Sequence, residues 1–413
     1  MKQVLILCDA FPPDFAPRMG YLCNYLPALG WEPFVITEKQ HQHIFPEMIE
    51  RQNIVSIDFY PAKQTCVKKL QWFCTLIADF LWNYKDRKME KAARKIMKTR
   101  HFSLVLASSY RTFPLRAARQ ISQKNHIPLL IDLRDIVEQY AENEYIAHTL
   151  RFSFLKKIAI PIFTKKLLRE RNKALHVAAA VTTVSEWHKE FLLQFNSYTH
   201  LIYNGFDADL FVPKKVRTEQ FRIVYTGRIL SLHMRNPELL CAAVAQLHSE
   251  HCIDAATFRI QFYTNEESKE ILLQFVEKYR IASFVDFFSM RPHAQIPAIL
   301  NEASILLLLS NSSKGTRAPK GIMGTKTFEY LAVEKPILCV RSDEGCLQDL
   351  IARANAGISA STVAEAAQFI MEQYAEWQKN GYTHQAVNRE LLQQFSRKGQ
   401  ALQFADIFEE LSV

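Results

Sequence analysis

Two kinds of apolar pattern alternate along the chain. Short, wholly apolar runs read as strands buried on both faces, the mark of a parallel sheet. They lie at Val4–Cys8, Pro33–Thr37, Leu104–Ala107, Leu129–Ile131 and within Ala178–Val184. A second series follows at His200–Tyr203, Arg222–Tyr225, Arg259–Tyr263, Val285–Phe288, Ile305–Leu309 and Ile337–Val340. Between them, apolar residues recur at helical spacing. Leu22, Leu26 and Leu29 mark a first helix that ends at Gly30. Further helices are expected over Pro237–Ser249, Lys269–Tyr279, Ala294–Glu302 and Thr325–Val333, with a helical tail over Asn388–Leu411. Strand, loop, helix and strand within the first 37 residues make a βαβ unit. The pattern restarts near residue 200, so the expected fold is α/β, two Rossmann-like parallel-sheet domains facing across a cleft. The expected boundaries are 1–200, 201–387 and a C-terminal helix at 388–413 that packs back on the first domain.

Composition alters this picture little. The chain has 413 residues, 48% hydrophobic and 23% charged, which is globular rather than disordered. The eight cysteines form no CxxC pair and no zinc-spaced cluster, and are expected to be buried, reduced thiols of a cytoplasmic protein. The opening MKQVLILCDAF reads as a strand rather than a signal peptide, because its apolar run is short and meets Asp9 at once. No aliphatic run approaches the ~18 residues that cross a bilayer.

Charge adds more. The formal net charge is +9, but it is concentrated. Lys63–Arg100 carries 11 Lys/Arg against 3 Asp/Glu, and Arg151–Lys173 carries 8 against 1. In the first, Lys68, Lys69, Lys85, Arg87 and Lys88 accompany Trp72, Phe73, Leu76, Ile77, Phe80 and Leu81. In the second, Arg151, Lys156 and Lys157 accompany Phe152, Phe154, Leu155 and Ile158. Such segments suit a core-facing helix with a solvated basic side, or a helix docked on the inner face of an anionic membrane. No nucleic-acid module is recognisable, so nucleic acid is not expected as a partner.

The segment most suggestive of chemistry is GTKTFEYLAVEKPIL, Gly324–Leu338. Gly324 and Thr325 precede an amphipathic helix, with Thr325 as the candidate cap. A helix N-terminus offers unpaired N–H groups to a phosphate. Lys326 adds a full positive charge, and Glu329, one turn on, is placed to accept the hydroxyls of a ribose. A capped helix leading into a core strand accounts for the same residues. Asp207-Ala208-Asp209 spells a DxD metal motif but reads better as a turn, and the paired His41 and His43 lack a third ligand. No metal and no cofactor are expected. A dinucleotide GxGxxG is absent.

Together with CDAFPPDFAPRMG, YLPALGWEPFVIT, IDLRD, AAAVTTVSE, LIYNGFDADLF and IVYTGRI, this segment resembles the ordered motifs of glycosyltransferase family 4, over nearly the whole chain. The resemblance implies a GT-B fold and a retaining, metal-independent transfer of a hexosyl or N-acetylhexosaminyl group. The donor would be a nucleoside diphosphate sugar and the acceptor a glycan or lipid-linked sugar, in bacterial surface polysaccharide synthesis. It gives Gly227 the close approach to the diphosphate and Arg228, Arg235 and Lys326 its charge. Met290 and Arg291 fall by the base, and Gly324, Thr325 and Glu329 at the helix start and ribose. Arg18 and Gly20 fall on the acceptor or sugar side, and Asp135, with Arg228 and Lys326, in the catalytic group. Two departures stand out. Gly321 occupies the place of a first glutamate, and SSYRTF (Ser108–Phe113) lacks a histidine common in relatives. A sugar-nucleotide 2-epimerase and a non-catalytic nucleotide-binding partner of a glycan-assembly complex remain as alternatives.

Overall fold

The computed structural model describes residues 1–13, 16–39, 45, 53–62, 64–110, 112–139, 153–310 and 322–412, with the backbone alone at Thr65 and over 153–159. His41, His43, Gly321 and the side chains of the second basic segment from Arg151 to Ile158 lie outside the described residues. The chain forms two compact units. One comprises Met1–Tyr203 with Arg397–Val413, the other Asn204–Ser396.

The first unit holds a seven-stranded sheet: β1 (Lys2–Cys8), β2 (Trp31–Glu38), β3 (Ile54–Ile57), β4 (Leu104–Ser109), β5 (Leu129–Leu133), β6 (Ala180–Thr183) and β7 (Thr199–Leu201). Every pairing is parallel, in the order β3-β2-β1-β4-β5-β6-β7. The sheet centre is dry because β1 and β4 carry aliphatic residues on both faces. One face packs on α1 (Pro17–Tyr25) and on the last helix of the chain, Arg397–Leu411. There Trp31 meets Phe408 edge-on at 5.1 Å and donates its indole N–H to Glu409 at 2.7 Å. The helical tail is therefore two helices. Arg389–Gln394 belongs to the second unit and Arg397–Leu411 to the first.

The unit also holds α2 (Thr65–Trp82), α3 (Tyr84–Ile96), α4 (Leu115–Asn125) and α5 (Ser153–Val177). α6 (Glu186–Leu192) starts at Ser185, whose hydroxyl accepts the His188 amide at 3.3 Å. The expectation of buried thiols fails in part. Cys66, Cys74 and Cys252 are exposed, Cys346 is half-buried, and the other four are buried.

The second unit repeats the plan with β8 (Phe221–Thr226), β9 (Phe258–Thr264), β10 (Val285–Ser289), β11 (Ile305–Leu309), β12 (Ile337–Val340) and β13 (Gly357–Ala360). The order is β10-β9-β8-β11-β12-β13, again parallel throughout. α7 (Glu238–Ser249), α8 (Glu266–Tyr279), α9 (Ile296–Asn301), α10 (Thr325–Ala332), α11 (Cys346–Arg353), α12 (Val363–Asn380) and α13 (Arg389–Gln394) flank it. α12 opens with a reciprocal capping box between Thr362 and Glu365. In each sheet the strand order reverses once, between β1 and β4 and between β8 and β11. Doubly wound sheets bind ligands outside the carboxyl ends of the strands at this reversal.

Candidate functional site

At the reversal in the second unit, β8 runs out at Thr226 and the chain turns at Gly227. Gly227 has φ +131°, a conformation a side-chain-bearing residue rarely adopts. A Cβ there would also lie 2.7 Å from the Lys326 Nζ. The glycine is thus required twice, by its backbone and by the ammonium pressed against it.

Lys326 comes from the first turn of α10. In this helix Thr327, Phe328, Tyr330 and Leu331 face the core. Phe328 packs edge-on against Phe395 at 5.0 Å, and the Tyr330 hydroxyl accepts the Thr226 amide at 3.2 Å, tying the helix to the end of β8. Residues three apart share a helix face, so Lys326 and Glu329 fall together on the remaining side. The N-cap is Gly324, and no side chain among the described residues caps the helix. This corrects the expectation for Thr325, which is the first helical residue. The reason is direct: Gly324 takes the extended conformation of a cap, with φ −74° and ψ 159°, and leaves the first-turn amides without a side-chain acceptor.

The Lys326 stem is half-buried, but its Nζ is shut off from solvent and has no hydrogen-bond partner among the described residues. It lies 4.1 Å from the centre of the Tyr225 ring, which lends only weak compensation. Burial, then the nearby positive charge of Arg235, pushes its pKa well below the ordinary lysine value, and Glu329 opposes this. Arg228, the residue after Gly227, is exposed. Arg235 donates to the Arg228 carbonyl, which fixes a second guanidinium near the same turn. A buried, unpartnered cation at an uncapped helix start, with two more cations at hand, has the chemistry of a diphosphate site.

Glu329 is held by a residue that sequence spacing did not disclose. His293 Nε2 lies 3.1 Å from Glu329 Oε1, and its ring packs on Phe211 at 5.5 Å. His293 and Glu329 are 36 positions apart and share no motif. Met290 and Arg291, at the end of β10, are both exposed. Asp207 and Asp209 form a turn, with the Asp209 amide bonded to Asp207 Oδ1 at 3.0 Å. Among the described residues no cluster of acids, histidines or cysteines is arranged for a metal.

In the first unit the residues expected at the sugar and acceptor side have other surroundings. Arg18 is 4% exposed. Its guanidinium donates to Asp132 Oδ1 at 3.1 Å and to the carbonyls of Ile202 at 2.8 Å and Tyr203 at 2.6 Å. Asp132 also accepts from Ser108 at 2.9 Å and Thr182 at 2.9 Å, so this is a buried node joining α1 to three strands. Arg18 is not a solvent-facing cation, because those oxygens would otherwise be buried without enough donors. Gly20 is buried within α1. Asp135 is half-buried just beyond β5. Its neighbour Arg134 bonds Asp9 at 2.5 Å and lies 3.9 Å from the Tyr110 ring centre, where β1, β4 and β5 end.

With two Rossmann-like units, each a parallel sheet reversed once, the chain has the GT-B fold. No protein-family model matches the sequence, and no curated protein matches it. Solved structures do. Sucrose-phosphate synthase from Thermosynechococcus elongatus superposes with a TM-score of 0.66 at 17% identity, covering 99% of both chains. The Anabaena protein HepE, in complex with UDP-glucose, gives 0.65 at 16%, covering 99% of this chain and 100% of its own. A Listeria monocytogenes protein assigned as a UDP-N-acetylglucosamine 2-epimerase gives 0.56 at 12%, covering 99% and 98%.

Proposed function

We infer that the protein is a retaining, metal-independent glycosyltransferase of the family 4 type. In this reading it moves a sugar from a nucleoside diphosphate donor to a glycan or lipid-linked acceptor in surface polysaccharide synthesis, as a cytoplasmic protein at the inner face of a membrane. The observation that carries it is the buried Lys326 ammonium, unpartnered, pressed on Gly227 at the strand-order reversal. A diphosphate supplies what that ammonium lacks. As the glycosidic bond to the donor breaks, negative charge grows on the departing diphosphate, and Lys326, Arg228 and Arg235 stabilise it. Glu329, braced by His293, accepts the ribose hydroxyls, while Met290 and Arg291 flank the base. Retention follows if the acceptor hydroxyl attacks from the face the diphosphate leaves, its proton passing to a phosphate oxygen. Asp135 and Gly20 keep the acceptor-side assignment of the resemblance, whereas Arg18, itself buried, bears on that side only by anchoring the start of α1.

The test is nucleotide release from UDP-, GDP-, ADP- and CMP-linked sugars with and without acceptor. Turnover unchanged in Lys326→Ala and Glu329→Ala overturns the site. Products formed without acceptor, with the sugar inverted at C2, would instead make this an epimerase, the reading that the Listeria likeness keeps in play. Binding without turnover on every donor would leave a non-catalytic partner.

Glu329→Ala is expected to weaken nucleotide binding about 10–100-fold, the loss of a charged hydrogen-bond acceptor. His293→Ala should give a smaller loss that His293→Gln restores, because a bracing donor is all that position needs. Titration calorimetry measures both. Binding should also consume a proton. Lys326 has a lowered pKa in the free protein, and a bound diphosphate raises it. Above the free-protein pKa the amine is neutral, so binding takes up a proton and affinity falls with rising pH, by up to about tenfold per unit. Calorimetry in buffers of different ionisation enthalpy reads this uptake. It should vanish in Lys326→Met.

A further inference from the structure

α2 is amphipathic with its faces reversed. Polar residues are turned inward, with Leu76 and Phe80 half-buried beside them. Thr75 is 7% exposed, the Gln71 side chain accepts the Ala62 amide at 3.2 Å, and Asp79 accepts the Lys85 amide at 2.8 Å. The residues turned outward are apolar: Leu70 is 63% exposed, Phe73 53%, Ile77 41% and Leu81 55%. Steps of three, four and four place these four on one stripe. α5 crosses near its end, with Phe163 packed on Phe80 at 4.6 Å, and there Ile162 and Trp82 are exposed as well. A contiguous apolar surface of this size on a soluble unit marks a contact site.

Charge identifies the occupant. Lys69 on α2 is exposed, and so are Arg87, Lys88 and Lys91 on α3, the helix that follows it. The three acids between Lys63 and Arg100 do not neutralise them. Asp79 is engaged by the Lys85 amide, Asp86 is 7% exposed and takes the Ala117 amide, and Glu90 is 7% exposed and paired with Arg116. The surface presented outward is thus apolar and cationic. A second copy of the chain would bring two such cationic surfaces together, which is unfavourable. No described helix is long and apolar enough to cross a membrane. A helix of this kind lies in the plane of the interface, with its apolar stripe among the acyl chains and its cations on the headgroups.

We propose that the Leu70–Phe73–Ile77–Leu81 stripe of α2 docks the first unit on an anionic phospholipid bilayer. This deepens the lipid-linked side of the function proposed above and rests on that reading for its purpose, though not for its geometry. The experiment is flotation of the full-length protein with phosphatidylglycerol-containing vesicles and with purely zwitterionic ones, at low and high salt. The protein should float with anionic vesicles at low salt and be released by salt. The double variant Phe73→Glu with Ile77→Glu should bind at least about tenfold more weakly. Both positions are exposed, and a retained thermal midpoint shows that the fold is intact. Lys69→Glu with Lys88→Glu, which leaves the stripe untouched, should also weaken binding about tenfold, with a shallower salt dependence. Bromine-labelled lipid should quench fluorescence in wild type, and less in Trp72→Phe with Trp82→Phe. The proposal is overturned if the wild type does not float, if the glutamate pair floats like wild type, or if a dimer forms that the glutamate pair disperses. Nucleotide binding is measured on the same samples. Flotation in a protein that binds no nucleotide would sustain the docking surface while sinking the transferase reading.

Discussion

Lys326→Met should lower kcat/KM for sugar transfer by about 10²–10³-fold, the usual consequence of removing one preorganised charge from a developing anion. The same substitution should raise thermal stability. The two effects have one cause. Lys326 holds its ammonium without a hydrogen-bond partner among the described residues, in a site closed to water. Burial lowers its pKa, so the folded protein binds this proton less tightly than the unfolded chain does. The sign follows from linkage: below the lowered pKa the folded state carries the full penalty of a buried charge, and stability rises with pH from there toward the ordinary lysine value. Methionine keeps the stem and removes the penalty, worth roughly 1–3 kcal/mol for an unsatisfied buried group. Loss of activity with a gain of stability is the signature of a residue kept for its ligand. A methionine variant that melts earlier than wild type, with activity retained, would show that the ammonium serves the fold instead. Gly227→Ala offers a partial check. Its Cβ displaces only the flexible end of Lys326, so stability should fall by about 1–3 kcal/mol from the backbone strain alone, while nucleotide binding should fall as far as in the Lys326 variant.

Gly357→Ala should be the most damaging single substitution to the fold of the second unit. Gly357 opens β13 opposite Ile337 of β12 and has φ +140°. An added Cβ would lie 2.0 Å from the Ile337 carbonyl oxygen and 2.7 Å from its nitrogen. These are backbone atoms of a central, buried strand and cannot swing aside as a lysine tip can. Either β13 leaves the sheet or β12 shifts. The expected cost is roughly 3–5 kcal/mol, from strain and a lost strand pairing together. Gly30 is the control. Its φ is +87° but nothing lies within 4 Å of an added Cβ, so alanine there should cost only about 1 kcal/mol. Denaturant melting with hydrogen exchange at Ile337–Val340 measures both. Equal effects at the two glycines would overturn the steric account.

The element pattern of both sheets was legible because central parallel strands are buried on both faces and must be apolar throughout. The two strands the pattern failed to announce are edges. β3 has half-exposed ends, and β13 reads Gly-Ile-Ser-Ala, held by its backbone rather than by apolar side chains. The conformation at the end of GTKTFEYLAVEKPIL was hidden for a different reason. Glu334 takes the left-handed geometry usual for glycine, with φ +52°, and is steadied by Arg389 at 2.9 and 3.2 Å. That compensation comes from 55 residues away.

By itself the sequence determined the α/β class, the two repeated units and the face shared by Lys326 and Glu329, because each follows from local periodicity. Only the tertiary structure decided what those residues meet. It closed Lys326 against Gly227, braced Glu329 with His293, buried Arg18 in a structural node and turned the apolar side of α2 outward. Periodicity fixes which residues share a face. Which way that face points, and which charges are left without partners, depends on contacts between segments far apart in the chain.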